Sequence, residues 1–422
     1  MTFSKTDPFQ ALRNLEFRFY VALRFFVTMG INMQAVIVGW KVYDLTKSEL
    51  ALGLIGLAEV LPALGLALPA GHLVDKSNKR NLLLCCIVGY FCIGVSLLLL
   101  TLQSSGDLIS TTHTVNLIYL LMFTGGVLRA FSGPASFSLL SQIVPREAYA
   151  NAATWSSSGW QFGAVIGPAL GGFLYAWGGA QMAFATVIIL QFIGIICLLQ
   201  IKSKPIQNTA KGIPIWQSLT EGMRFVFGNK VILSTLSLDL FAVLFGGAVA
   251  LLPVFADQIL KVGPQGLGIL RAAPAAGAAI TLVTLAYIPI KTKPGLKLLG
   301  AVFGFGLCII GFGLSKSFFL SVILLFASGA LDSVSVVLRS TILQLMTPDN
   351  MRGRVAAVNS MFIGSSNELG AFESGVTAKL MGTVTAVVFG GFMTIVIVIG
   401  VFFKSSAVRN LDLEKYSKGE EK

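Results

Sequence analysis

The stretch "GAVIGPALGG", Gly163–Gly172, sits inside a long apolar run that otherwise reads as helix. Glycine costs about 1 kcal/mol in a helix interior and proline about 3 kcal/mol. A buried helix that carries both needs a compensating reason. Gly163, Gly167 and Gly171 recur every four residues and form one smooth stripe. Small residues on one face let membrane helices approach closely. Pro168 removes a backbone hydrogen bond to the carbonyl of Ala164 and can bend the helix. The sequence therefore predicts a tightly packed membrane helix with a bend, set against the other half of the chain.

The composition agrees with a membrane setting. Of 422 residues, 55% are hydrophobic and only 12% are charged, against roughly 25% in soluble domains. Apolar runs of about 20 residues recur along the whole chain. Helices are expected at 19–43, 51–72, 82–102, 115–140, 153–176, 182–201, 231–256, 266–289, 296–315, 318–345, 355–381 and 384–404. The expected fold is an all-α membrane protein of twelve transmembrane helices in two six-helix bundles. The first eighteen residues are polar, and the first apolar run is too long for a signal-peptide core, so it reads as an uncleaved anchor.

The net charge is +12. Its distribution decides what it means. Of 31 lysines and arginines, 22 fall in the termini and the even-numbered connections; five (Lys41, Lys47, Lys261, Lys316 and Lys379) fall on the other side. The positive-inside rule then places both termini in the cytoplasm. The basic excess is a topology signal, and no nucleic-acid partner is expected. The two histidines and the spacing of the cysteines offer no metal site. Cys85, Cys86, Cys92, Cys197 and Cys308 all lie in apolar runs and read as small buried hydrophobes. The chain has no Gly-Lys dipeptide, hence no phosphate loop for ATP, and no nucleophile–base cluster. Neither an enzyme nor a cofactor is expected.

The chain divides near its middle. Residues 202–230, "KSKPIQNTAKGIPIWQSLTEGMRFVFGNK", form the longest polar connection. Trp216–Phe227 within it has amphipathic spacing that fits an interfacial helix. The expected organisation is a bundle over 1–201, a cytoplasmic linker over 202–230, and a second bundle with a tail over 231–422. The halves repeat. "GLAEVLPALG" (Gly56–Gly65) matches "GILRAAPAAG" (Gly268–Gly277) without a gap. Val144–Gly172 aligns with Thr347–Gly375, placing Pro145 on Pro348, Gly167 on Gly370 and Gly172 on Gly375. Duplicated bundles are a signature of secondary transporters, whose substrate site lies near the midplane between the repeats.

Nine ionisable residues fall inside the expected helices: Arg24, Glu59, Arg129, Asp239, Arg271, Asp332, Arg339, Glu368 and Glu373. Such residues are expensive in hydrocarbon and mark partners, cavities or proton relays. Glu59 and Arg271 occupy equivalent positions in the aligned repeats and form a plausible pair. Asp332 and Arg339 are seven apart and share nearly one helix face. Glu368 and Glu373 are five apart, about 140° around a helix, and cannot serve one face. Asp239, Asp332 and Glu59 are the first candidates for a carboxylate that changes protonation.

Three motifs carry a family resemblance. "GHLVDKSNKRNLLL" (Gly71–Leu84) resembles the major facilitator superfamily signature Gly-x-Leu-x-Asp-Arg-x-Gly-Arg-Lys. Gly71, Leu73, Asp75, Lys79 and Arg80 match it; Lys76 replaces an arginine and Asn78 a glycine. Asparagine tolerates the left-handed conformation, so a tight turn is retained in expectation. The resemblance implies that Asp75 and Arg80 belong to a latch on the cytoplasmic side. "RAFSGPA" from Arg129 partly resembles a second motif, with Ser132 in place of glutamine; there the arginine would tune a nearby acid. Gly163, Gly167, Pro168, Gly171, Gly172 and Leu174 match the antiporter motif of efflux members at every fixed position. With "TPDNMRGRVAAV" (Thr347–Val358) and "KPGLKLL" (Lys293–Leu299), the chain is similar to the branch that includes enterobactin exporters and macrolide efflux proteins.

The resemblance implies a secondary transporter that exchanges protons for an amphipathic small molecule, a drug or siderophore-like compound, by alternating access. It would act as a monomer in the bilayer. An uptake symporter or facilitator of the same fold is the alternative, and a non-transporting membrane receptor a more distant one.

Overall fold

The computed structural model describes residues 9–104, 110–145, 148–205, 215–288, 290, 293–348 and 351–411. Among them there is no strand. After a 3-10 turn at Ala11–Arg13, the helices run in chain order as α1 Leu15–Thr46, α2 Glu49–Gly65, α3 Ala67–Lys76, α4 Lys79–Ser104 and α5 Thr111–Ile143. They continue as α6 Tyr149–Leu199, α7 Ile215–Gly228, α8 Lys230–Phe245, α9 Leu252–Val254 and α10 Gly263–Tyr287. The last are α11 Pro294–Leu314, α12 Phe318–Met346, α13 Arg352–Met381, α14 Thr383–Lys404 and α15 Ser406–Arg409.

Among the described residues, nine helices are long and apolar enough to cross a membrane. The twelve-span reading is recovered from how the others are built. α6 is two spans joined at Gly178–Gly179, where the helical torsions fail and Gly179 has φ +68°. α2 and α3 are one expected span interrupted at Leu66, four residues after Pro62. α13 has 30 residues, enough to span, but carries Arg352, Arg354, Glu368, Glu373 and Lys379. The amphipathic linker helix is present as α7.

One expected helix needs correction. The run 231–256 is not continuous: α8 ends at Phe245, Gly246 and Gly247 are non-helical, and the chain resumes as a 3-10 turn, α9 and a π-helical turn over Phe255–Ile259. Two adjacent glycines weaken the helix, and Pro253 has no N–H to donate back into it. The cysteines also need a correction. All five are free thiols, but Cys85 and Cys92 on α4 are exposed. They share that surface with Val88 and Leu99, as suits a lipid-facing side.

The chain packs as two compact units. The first comprises Met1–Lys41 and Leu61–Lys211. Its core joins Phe17, Tyr20 and Leu23 of α1 to Leu83 and Ile87 of α4, Leu139 and Ile143 of α5, and Cys197 and Leu198 of α6. The second comprises Val42–Val60 and Gly212–Lys422. Its core joins Leu238 and Ala242 of α8 to Leu298 and Val302 of α11, Leu338 and Ile342 of α12, and Val398 of α14. The end of α1 and most of α2 thus pack with the second unit. There Tyr43 Oη accepts a hydrogen bond from Gln258, Lys47 pairs with Asp257 at 3.5 Å, and Thr383 donates to Glu49 at 3.4 Å. The hydrogen bond from Lys47 to Asp44, helped by Asp257, holds the lysine above its ordinary pKa.

Candidate functional site: a buried charge cluster and its surroundings

α8 begins at Asn229, whose side chain accepts from the backbone N–H groups of Val231 and Ile232, both at 3.1 Å. This cap satisfies donors the helix would otherwise leave open. Nine residues into α8, Asp239 points into the second unit's core and is 6% exposed. α12 supplies its partner: Arg339, 2% exposed, forms an ion pair with Asp239. Asp332, two turns before Arg339 on the same face, lies within electrostatic range of both. Two carboxylates therefore lie in the field of one guanidinium, and Asp239 pairs with it directly. As ionised groups they carry one net negative charge, and a single proton makes the cluster neutral. Buried charges persist only when paired, and removing one partner is costly.

Sequence spacing placed Asp332 and Arg339 together. It offered no signal that Asp239, on a helix about a hundred residues earlier, is the direct partner, because i,i+7 spacing reports only neighbours on one helix.

The first unit holds a different arrangement. Tyr20 of α1 shares a hydrogen bond with Ser136 Oγ of α5 at 2.9 Å, and its hydroxyl lies 3.0 Å from the Ser136 carbonyl. Arg24 lies one turn further along α1, and its Nε is buried without a hydrogen-bond partner. Arg129 lies on α5 and is exposed, although it engages a neighbour. Glu59 and Arg271 both belong to the second unit, and each engages a neighbour. Glu373 is half-buried on α13. The side chains of Glu368 and Asp75 lie outside the described residues.

The glycine stripe of α6 has a definite partner. A Cβ on Gly163 would fall 2.8 Å from the Phe25 carbonyl oxygen, one on Gly167 2.5 Å from that of Met29, and one on Gly171 3.0 Å from Met33 Cγ. The stripe packs on α1 of its own unit, which corrects the expectation that it faces the other half of the chain. The reason is local: the stripe meets the α1 backbone, and only residues without a Cβ permit that approach. Gly172 is buried and Pro168 is accommodated inside the helix. In the second unit the equivalent Gly370 of α13 sits on the carbonyls of Val243 and Leu244 of α8, each at 2.9 Å from its notional Cβ. The same first-to-fifth helix contact is made twice.

The loop over Gly71–Arg80 is also built differently from expectation. Asn78 is not left-handed; the only non-glycine residues with positive φ among those described are Lys47, Lys261 and Lys293. Asn78 caps α4 instead, accepting from Asn81 N at 3.1 Å, and donates to Ser203 Oγ at 2.7 Å and Lys204 O at 2.9 Å. Lys79 is buried and donates to the carbonyls of Val74 and Ser77, closing the C-terminus of α3. Arg80 donates to Leu199 O at 3.2 Å. Lys204 pairs with Glu16 at 2.7 Å. Gly71, within α3, meets nothing within 4 Å of a notional Cβ.

Among the described residues no group of His, Cys, Asp or Glu could hold a metal ion.

The whole chain has relatives. The transmembrane secretion effector family matches residues 6–421. The enterobactin exporter EntS of Escherichia coli O1:K1 / APEC is 27% identical over 386 residues, covering 90% of this chain and 89% of the relative. EntS of Shigella boydii serotype 18 is 26% identical over the same length. Solved structures share the fold at lower identity. A bacterial homologue of the human lysosomal transporter Spinster has a TM-score of 0.70 at 15% identity, covering 98% of this chain and 99% of that one. A D-xylose–proton symporter has a TM-score of 0.70 at 14% identity, covering 93% and 98%. The twelve-helix fold, the duplicated units and the match along the chain agree: this multi-pass membrane protein is a secondary transporter, not an enzyme, and belongs to the transmembrane secretion effector family of the major facilitator superfamily.

Proposed function

We propose that this protein is a proton-coupled exporter of an amphipathic small molecule, working by alternating access. The observation that carries the reading is the buried pair of Asp239 and Arg339 with the half-buried Asp332 in its field. A cluster whose charge changes from minus one to zero on taking up one proton gives the second unit two electrostatic states. Each state favours a different degree of hydration, so protonation can bias the unit between conformations. Glu59 and Glu373 are secondary candidates, with Arg129 and Arg271 as charges that would tune them. The outward direction rests on the antiporter-type stripe of α6 and on the exporters among the relatives.

The repeats over 1–201 and 231–422 supply the two moving bundles, with 202–230 as a cytoplasmic linker. Both termini lie in the cytoplasm of a bacterial cell, and the transporter acts as a monomer. Gly71, Asp75, Lys79 and Arg80 form the cytoplasmic gate segment. Lys79 and Arg80 support this reading by tying the ends of α3 and α6 together.

Everted membrane vesicles energised with a proton gradient test the proposal. Candidate amphipathic compounds should accumulate inside, and a protonophore should abolish the accumulation. Asp239→Asn and Asp332→Asn should each end gradient-driven accumulation. Accumulation that ignores the protonophore, or normal coupling in both variants, would overturn it.

A further inference from the structure

The two units can be laid on each other through their own contacts. Gly167 rests on the Met29 carbonyl and Gly370 on the carbonyls of Val243 and Leu244 together, so Met29 corresponds to the Val243–Leu244 step. Carried back along the two helices, that register places Arg24 at the Leu238–Asp239 step of α8. α5 ends at Ile143 and α12 at Met346, each just before the aligned segments that begin at Val144 and Thr347. Carried back from there, Ser136 falls on Arg339 and Arg129 on Asp332.

The charges therefore differ between the units. In the second unit the aspartate of the first helix is neutralised by an arginine of the fourth. In the first unit the first helix carries Arg24, and the position equivalent to Arg339 is Ser136, already engaged with Tyr20. The position equivalent to Asp332 is Arg129, a second cation.

The backbone brings these two cations together. Asn14 donates to Ile143 O at 2.9 Å and Tyr20 meets Ser136 at 2.9 Å, so α1 and α5 run antiparallel in contact. Arg24 is then about 6 Å beyond Tyr20 along α1, and Arg129 about 10 Å beyond Ser136 along α5 in the same direction. Arg24 is rotated about 40° from Tyr20, and Arg129 about 20° from Ser136, so both lie on the facing sides. Of the acidic residues of the first unit, Glu16 is paired with Lys204. Arg24 has no ion pair among the described residues, and its Nε has no acceptor.

We infer that Arg24 is an anion-binding residue, and that the transported molecule presents an acidic group, a carboxylate or a group of like charge and geometry, on an apolar body. The guanidinium is suited to it, because its planar fork matches a carboxylate and it stays charged at all physiological pH. Arg129, on the adjoining helix, engages a neighbour of its own, and the inference rests on Arg24 alone. This inference rests on the reading of the protein as an exporter of an amphipathic molecule.

Binding to the purified full-length protein in neutral detergent tests it without any gradient, so failure of proton coupling cannot be confused with failure here. The probes are 2-naphthoate, 2-naphthamide and 2-naphthylmethylammonium, which share a ring and differ in charge. Wild type should bind naphthoate at least tenfold more tightly than the other two. Arg24→Gln should remove that preference, and Arg24→Lys should keep part of it. Tighter binding of the amide or the ammonium, no naphthoate binding up to millimolar concentration, or an unchanged preference in Arg24→Gln would overturn the inference. Phosphatidylglycerol is the competing source of anionic charge. Arg24-dependent binding of that lipid that naphthoate does not displace would also overturn it. Where Arg24→Gln fails to fold, Arg24→Lys reads the dependence on residue 24: an unchanged naphthoate affinity and preference in it would overturn the assignment to Arg24.

Discussion

Arg339 of α12 and Asp239 of α8 are paired in the interior of the second unit, with 3% and 8% of their side chains exposed. Asp332 stands within reach of both. The three positions are therefore unequal, and their substitutions should rank. Arg339→Gln leaves the buried Asp239 and the half-buried Asp332 without a cation and should cost about 3–5 kcal/mol, the usual result of breaking a buried pair. Asp239→Asn should cost less, because Asp332 remains as a second carboxylate for the guanidinium. Asp332→Asn leaves the direct pair intact and should cost least. Thermal unfolding of the three purified variants checks the order, and a double-mutant cycle on Asp239 and Arg339 should show strong coupling.

Asp332→Asn separates stability from coupling. It should unfold within about 1 kcal/mol of wild type, as a change outside the direct pair. In everted vesicles it should nevertheless lose proton-driven accumulation. A variant that is both stable and fully coupled would assign Asp332 a packing role only.

The glycines of α6 should not behave alike. At Gly163 and Gly167 a Cβ meets backbone atoms of α1 at 3.0 Å or less, and backbone cannot swing aside. Alanine there should destabilise by about 1–3 kcal/mol, as overpacking does. At Gly171 the nearest atom is Cγ of the flexible Met33, so alanine should cost less. Gly133 of α5 meets nothing within 4 Å, and alanine there should be neutral or gain up to about 1 kcal/mol of helix propensity. Melting temperatures of the four alanine variants test the gradient.

These examples show where the sequence was informative. The stripe was legible because a four-residue period is a local property, and its repetition at Gly370 was legible because the halves align. Its partner was not, since nothing in Gly163–Gly172 says which helix presents a bare backbone to it. Apolar runs located the spans, but the interruption at Gly246–Gly247 was hidden inside a run that stays hydrophobic through Phe255. Asn78 shows a third limit: an asparagine at a turn can adopt a left-handed conformation or cap the next helix, and the choice depends on Ser203 and Lys204, far away in sequence. The membrane charges were all visible, yet which acid takes Arg339 is decided by the relative register of α8 and α12.

The linker helix α7 is held by packing more than by charge. Glu221 pairs with Arg354 of α13, but both side chains are partly exposed, and such pairs contribute about 0–1 kcal/mol. Val226 is fully buried against Ile232, Val355 and Val358, and a Cβ on Gly222 would fall 2.9 Å from the Arg354 carbonyl oxygen. Glu221→Ala should therefore leave α7 docked, whereas Gly222→Val or Val226→Asp should release it. Limited proteolysis reads the difference: cleavage around residues 215–228 should accelerate in the latter two variants and stay near wild type in the first.

The closest approach of α2 to α13 is backbone on backbone. A Cβ on Gly375 would fall 2.8 Å from Gly53 Cα and 2.9 Å from the Glu49 carbonyl oxygen; a Cβ on Gly53 would fall 3.1 Å from Gly375 Cα. Neither neighbour is a flexible side chain, so a methyl group must push the helices apart. The ion pair of Lys47 with Asp257 lies in the same unit, but the lysine side chain is 54% exposed and its loss should cost well under 1 kcal/mol. The two kinds of contact can be told apart by hydrogen–deuterium exchange over residues 46–54. Gly375→Ala should raise exchange there, because the segment loses its seat on α13. Lys47→Ala should leave it nearly unchanged. If Lys47→Ala raised exchange as much as Gly375→Ala, the surface charges and not the glycine contact would be what holds Val42–Val60 in the second unit.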